Sequence, residues 1–143
     1  MIFSAKTEYG LVALLELAAA QPAGGVLQVA EIAQRQGIPD RYLEQMLTSL
    51  RRARILRSIR GPRGGYQLAR PAAEIRVAEV VHCLEGDPTP GSGGSRSTPE
   101  FQVLEALTAR LEEARTQILA GTTLQELLEQ RDQLSQSLTM YFI

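Results

Sequence analysis

Residues 40–66 read DRYLEQMLTSLRRARILRSIRGPRGGY, and the reading of this stretch decides the fold. Pro39 followed by Asp40 predicts a helix start at which the Asp40 carboxylate accepts free backbone N–H groups. Leu43, Met46, Leu47 and Leu50 then recur at three- and four-residue steps, which puts one apolar stripe on that helix. Six arginines (51, 52, 54, 57, 60 and 63) and no acid follow up to Arg63. Within that run the pattern changes. Residues 55–60 are mixed and β-branched, residues 61–65 (GPRGG) force a turn, and residues 67–70 resume an extended pattern. Helix, strand, glycine-rich arginine-bearing tip and strand predict a winged helix-turn-helix, a layout that points to DNA.

Upstream, Ser4 is placed to cap a first helix over residues 5–20, with Leu11, Leu14, Leu15 and Ala18 on one face. Residues 21–25 (QPAGG) end it, and a short extended piece at 26–28 leads into a second helix over 29–36 with Ile32 and Ala33 inward. The turn at 37–39 (GIP) completes a helix-turn-helix over residues 29–53. Downstream, Val77, Val80, Val81 and Leu84 predict a short helix over 77–85. Residues 86–98 (GDPTPGSGGSRST) carry hardly any apolar content and read as a weakly ordered loop.

Ser97 and Glu100 predict a capping box for a helix that stops at Gly121. Leu104, Leu107, Leu111, Ala114 and Ile118 step by alternating threes and fours, a heptad seam on that helix. A second box, Thr123 to Glu126, starts a last helix of about 12–15 residues, and the apolar tail at 138–143 is expected to dock. The expected fold class is mainly α: a winged helix-turn-helix domain over 1–85, a flexible loop over 86–98, and a dimerisation helix with a C-terminal helix over 99–143. The last helix is too short to cover both flanks of the seam, which favours a role between subunits.

The chain has 143 residues and a net charge of −1, so bulk charge is silent about partners. Its distribution is informative. Residues 1–70 hold ten Lys/Arg against five Asp/Glu, and residues 71–143 hold five against eleven. A basic front half and an acidic back half suit a protein that meets a polyanion on one side. The single cysteine excludes an intrachain disulfide and agrees with a reducing compartment. Neither a leader pattern nor a run of about 18 apolar residues is present, and a cytoplasmic protein with no membrane partner is expected.

Three groups of residues carry a family resemblance. They are Tyr42-Leu43-Glu44-Gln45, Leu50-Arg51-Arg52-Ala53 and Arg60-Gly61-Pro62-Arg63-Gly64-Gly65-Tyr66. With Lys6-Thr7-Glu8-Tyr9, Val77-Ala78-Glu79-Val80 and Thr123-Leu124-Gln125-Glu126-Leu127, they resemble the Rrf-two family of bacterial transcription regulators over nearly the whole chain. The resemblance implies a homodimer whose long helices cross and whose two winged helices read a palindromic operator in double-stranded DNA. Two departures stand out. Arg63 occupies a place where many relatives carry glycine, and the loop at 86–98 lacks the three cysteines by which cluster-bearing members hold iron–sulfur centres. No cofactor is therefore expected, and the signal falls to a small-molecule effector, in the cleft between winged helix and long helix, or to a protein partner.

Arg41, Tyr42, Gln45 and Thr48 are the polar positions that reach base edges in this reading. Glu44 accepts from cytosine, or else pairs with an arginine. Arg51 and Arg52 are better placed for phosphates, and the wing residues Arg60, Gly61, Pro62 and Arg63 enter the minor groove or clamp the backbone. Arg54, Arg57 and Arg70 have no assigned role. Gly61, Gly64 and Gly65 lack the spacing of a nucleotide-phosphate loop and read as turn residues. Cys83 reads as a small core residue. His82 is its neighbour on a helix, about 100° away, so the pair cannot readily chelate one metal. In some cluster-bearing relatives a carboxylate near Glu8 completes the centre from the partner subunit; without loop cysteines Glu8 reads as a surface residue. The competing function is a protein-interaction module built on a winged helix, against which the unbroken arginine run argues. An enzyme is the poorest option, with one histidine, one cysteine and no acid–base pair.

Overall fold

A computed structural model describes residues 2–86 and 97–141, the last three by backbone alone. Helix α1 (Ala5–Ala20) begins where Ser4 accepts the Thr7 N–H at 3.3 Å. It packs against most of the other elements through one broad face that buries Leu11, Ala13, Leu14, Leu17 and Ala18, while Leu15, expected on that face, is half-buried at its edge. Gly10 lies where a Cβ would collide with the Leu84 side chain, so the absence of a side chain permits the close approach. Helix α2 (Val29–Gln36) ends at Gly37, whose φ of 66° is left-handed. Ile38 is buried in the turn that follows.

Helix α3 (Asp40–Arg52) buries Leu43, Met46, Leu47 and Leu50, the whole expected stripe. Its start differs from expectation. Pro39 stands at the N-cap, Asp40 is already helical, and no side chain caps the end; the Asp40 carboxylate acts only through its charge beside the helix N-terminus. At the other end the Arg54 N–H donates to the Arg51 carbonyl and the Ile55 N–H to the Leu50 carbonyl, each at 3.0 Å. These paired bonds close the helix through a left-handed residue, and that residue is Arg54, with φ of 63°. Glycine is the usual occupant because a Cβ costs roughly 1–2 kcal/mol there. Arg54→Gly is therefore expected to raise stability by about 0.5–1 kcal/mol, read as a higher urea midpoint at unchanged slope.

Strands β1 (Leu56–Ile59) and β2 (Gly65–Leu68) pair antiparallel with Leu56 opposite Leu68 and Ile59 opposite Gly65. The second strand starts two residues before the expected position because pairing resumes directly after the tip. A Cβ on Gly64 would strike the Ile59 carbonyl, and one on Gly65 the Leu27 carbonyl. Leu27 bonds both ways with Tyr66, at 3.0 and 2.8 Å, so the short extended piece before α2 lies along the wing.

A 3-10 turn (Ala72–Glu74) leads to helix α4 (Val77–Glu85), whose Val77, Val80, Val81 and Leu84 are buried as expected. Helix α5 (Pro99–Gly121) is capped by Thr98, which accepts the Phe101 N–H, one residue later than the Ser97 box predicted. Proline at the first helical position fixes that boundary. Helix α6 (Leu124–Tyr141) has 18 residues instead of the expected 12–15, since neither glycine nor proline interrupts it. Thr123 does accept the Glu126 N–H, at 3.2 Å. The segment around Thr123 pairs with Arg76, and Leu124 and Leu128 enter the same core as Leu14 and Leu43. Leu138 is exposed, and the expected docking of the rest of the tail falls on side chains outside the described residues. The expected weak order of the loop lies outside them too. Among the described residues no helix is long and apolar enough to cross a membrane.

Candidate nucleic-acid interface

The core stripe of α3 leaves the opposite face to solvent. Arg41, Glu44, Gln45, Thr48 and Arg52 come together there in one shallow depression, with Ser49 at its edge. The spacing i, i+3, i+4, i+7 and i+11 explains it, because each step returns to the same side of the helix. Ser49 is a lining residue that sequence reasoning missed, although it follows Gln45 by one turn. Thr48 donates its hydroxyl to the Glu44 carbonyl at 2.8 Å and Ser49 to the Gln45 carbonyl at 3.1 Å. Both hydroxyls are therefore turned back onto the helix backbone as donors and keep their oxygen lone pairs as acceptors.

Tyr42 and Arg51 do not join that depression. Tyr42 lies to one side, its ring edge-on to Tyr9 with centroids 5.8 Å apart and planes at 84°. This contact ties the start of α3 to α1. Arg60, Gly61, Pro62 and Arg63 are all exposed at the tip of the wing. Among the described residues none of Arg41, Arg51, Arg52, Arg60 and Arg63 forms an ion pair with an acid. Towards the described residues their charges are uncommitted, as a phosphate-binding surface needs.

Two arginines without an assigned role have structural partners. Arg57 donates to Gln67 at 2.6 Å, and Gln67 donates to the Gly24 carbonyl at 3.1 Å, bracing the wing against the segment before α2. Arg70 pairs with Glu79 at 2.6 Å and donates to the Glu74 carbonyl at 3.1 Å. Burial alone would raise the Glu79 carboxyl. The bonds from Arg70 and the Arg76 N–H, with both positive charges, outweigh it and hold Glu79 below the usual carboxylate range.

A model of the family described as "Rrf2: Iron-dependent Transcriptional regulator" matches residues 3–130. The chain belongs to the Rrf2 (Rrf-two) family. It is 49% identical over 86 residues to the HTH-type transcriptional regulator IscR of Cereibacter sphaeroides, covering 59% of this chain. That match spans 56% of the length of that relative. The winged-helix fold is that of CymR, the global cysteine regulator of B. subtilis, with a TM-score of 0.79 and 32% identity over 90% of this chain and 97% of that one. The structure of T. potens IscR superposes with a TM-score of 0.75 and 30% identity, over 92% of this chain and 88% of that one.

Iron dependence in the Rrf2 family raises the question of whether these residues fit an iron–sulfur centre. They do not. The 143 residues hold one cysteine. Cys83 is half-buried, donates to the Ser49 carbonyl on α3 at 3.4 Å, and has its thiol pushed up by burial against a weaker pull from Lys6. The donated hydrogen bond and the burial favour the thiol, and outweigh Lys6, which favours the thiolate that such a centre requires. Among the described residues no three His, Cys, Asp or Glu side chains are grouped to hold a metal ion.

Proposed function

We propose that this chain is a homodimeric, sequence-specific DNA-binding transcription regulator that acts without the usual iron–sulfur cluster. The observation that carries the reading is the solvent face of α3, where Arg41, Glu44, Gln45, Thr48 and Arg52 stand together, with Arg60 and Arg63 exposed at the wing tip. Side chains on one helix face within reach of a major groove supply donors and acceptors for base edges. Tyr42, Arg51 and Arg52 contact the backbone around them, while Arg60 and Arg63, lifted by Gly61 and Pro62, reach the neighbouring groove.

The dimer reading rests on α5. No residue of this helix is buried, and Leu104, Leu107, Leu111 and Ile118 are 48–66% exposed along one line that includes Ala114. A second copy of the same helix supplies the missing apolar surface. In functional terms residues 1–85 form the winged helix, 86–98 connect, and 99–143 carry dimerisation and the C-terminal helix. Two winged helices then face a palindromic operator whose half-sites lie about one or two helical turns apart. Repression is the output we assign, because a dimer seated on an operator excludes other proteins without a further contact surface. A small molecule or a protein partner sets the spacing of the two α3 helices.

Substitution separates readers from positioners. Gln45→Ala is expected to lower discrimination between operator and scrambled duplexes by about tenfold, while Arg52→Ala weakens both alike and lowers the salt slope by about 1 per contact. Fluorescence anisotropy at several salt concentrations reads both quantities. Uniform loss of affinity in both variants would contradict the division between bases and phosphates. Loss of neither would contradict the interface.

A further inference from the structure

We infer that the cavity between α4 and α5 is a binding site for a small zwitterion of the α-amino-acid type with an apolar side chain. The cavity has a volume of about 400 Å³, within the range of roughly 300–1,000 Å³ typical of small-molecule sites. Val81, His82 and Glu85 line it from α4, and Glu112, Arg115, Leu119 and Ala120 from α5. Apolar and charged walls therefore meet in one space.

The charges select the ligand class. Arg115 reaches Glu85 through one nitrogen at 3.4 Å, a long contact that leaves most of its donors unused. Glu112, one turn earlier on α5, forms no ion pair among the described residues. A lone anion would face Glu85 and Glu112, and a lone cation would face Arg115 and stand beside the His82 imidazole. A molecule with carboxylate and ammonium on one carbon meets both, the carboxylate on the Arg115 fork and the ammonium on Glu112. Its side chain then covers Val81, Leu119 and Ala120.

The site also sits where a signal is useful. Glu85 accepts the Ser4 backbone N–H at 3.0 Å through its other oxygen. That N–H, against some opposing burial, and with help from the Thr7 and Ser4 hydroxyls and the Arg115 charge, holds the Glu85 carboxyl below the usual range. Arg115, Glu85 and Ser4 thus link α5 and α4 to the start of α1. A ligand carboxylate that competes for Arg115 loosens this link and changes how the winged helix sits on the long helix.

Isothermal titration of the full chain with L-leucine, L-valine, L-methionine and L-phenylalanine in turn tests the site without DNA, so its outcome is independent of the regulator reading. Saturable binding of at least one of the four, one per protomer, is expected. Glu112→Gln should weaken it about tenfold or more, and Ala120→Trp, which fills the cavity from an exposed helix position, should abolish it with the melting temperature unchanged. For leucine, removal of either charge (4-methylpentanoate or leucinamide) should cost a similar factor. No saturable heat from any of the four would overturn the proposal, as would binding that persists in Ala120→Trp. Equal affinity for an uncharged-end analogue would overturn the zwitterion assignment.

Discussion

Leu107→Glu and Leu111→Glu are each expected to turn the protein into monomers by sedimentation and to weaken operator binding by about two to four orders of magnitude. The single chain already exposes these side chains, 48% for Leu107 and 64% for Leu111, so neither substitution removes an intrachain contact of any size. The melting of the winged helix should hold. In a dimer the same carboxylates lie in an apolar seam without cations, at a cost of several kcal/mol. DNA affinity follows, because two tethered half-site contacts become two independent ones. An unchanged dimer would move the interface away from α5.

The second large effect concerns the wing. Simultaneous Arg60→Ala and Arg63→Ala should lower duplex affinity about a hundredfold at moderate salt. With two wings per dimer, four charges are lost, and the log–log salt slope should fall by about 3–4. Neither arginine has an ion-pair partner among the described residues, so circular dichroism and thermal stability should be unaffected. An unaltered slope would place the wing clear of the DNA and leave α3 as the sole contact.

Both effects rest on features that the sequence makes legible to different degrees. The α3 stripe was readable because Leu43, Met46, Leu47 and Leu50 repeat at the helical period and all four pack inward. The wing was readable because glycine at 61, 64 and 65 admits little besides a turn, and the close carbonyls of Ile59 and Leu27 give the physical reason. Boundaries were less so. Ser97 and Thr98 are both competent caps, and only the position of Pro99 relative to the first hydrogen bond decides for Thr98. Asp40 looked like a cap for the same chemical reason, yet Pro39 already has the extended backbone that an N-cap requires.

Contacts between distant segments were not legible. Nothing local in the sequence pairs Tyr9 with Tyr42, Arg57 with Gln67, or Glu85 with Arg115; each depends on how the helices and wing cross. Arg54 is a further case, since a left-handed arginine is recognisable only from the backbone it closes.

Selection from random-sequence duplexes by the purified full chain tests the central claim most directly. The account predicts enrichment, over successive rounds, of a two-fold symmetric site with half-site centres about one or two helical turns apart, and weaker enrichment in the Gln45→Ala variant. A pool that remains random while the protein binds every duplex with equal, salt-sensitive affinity would contradict it.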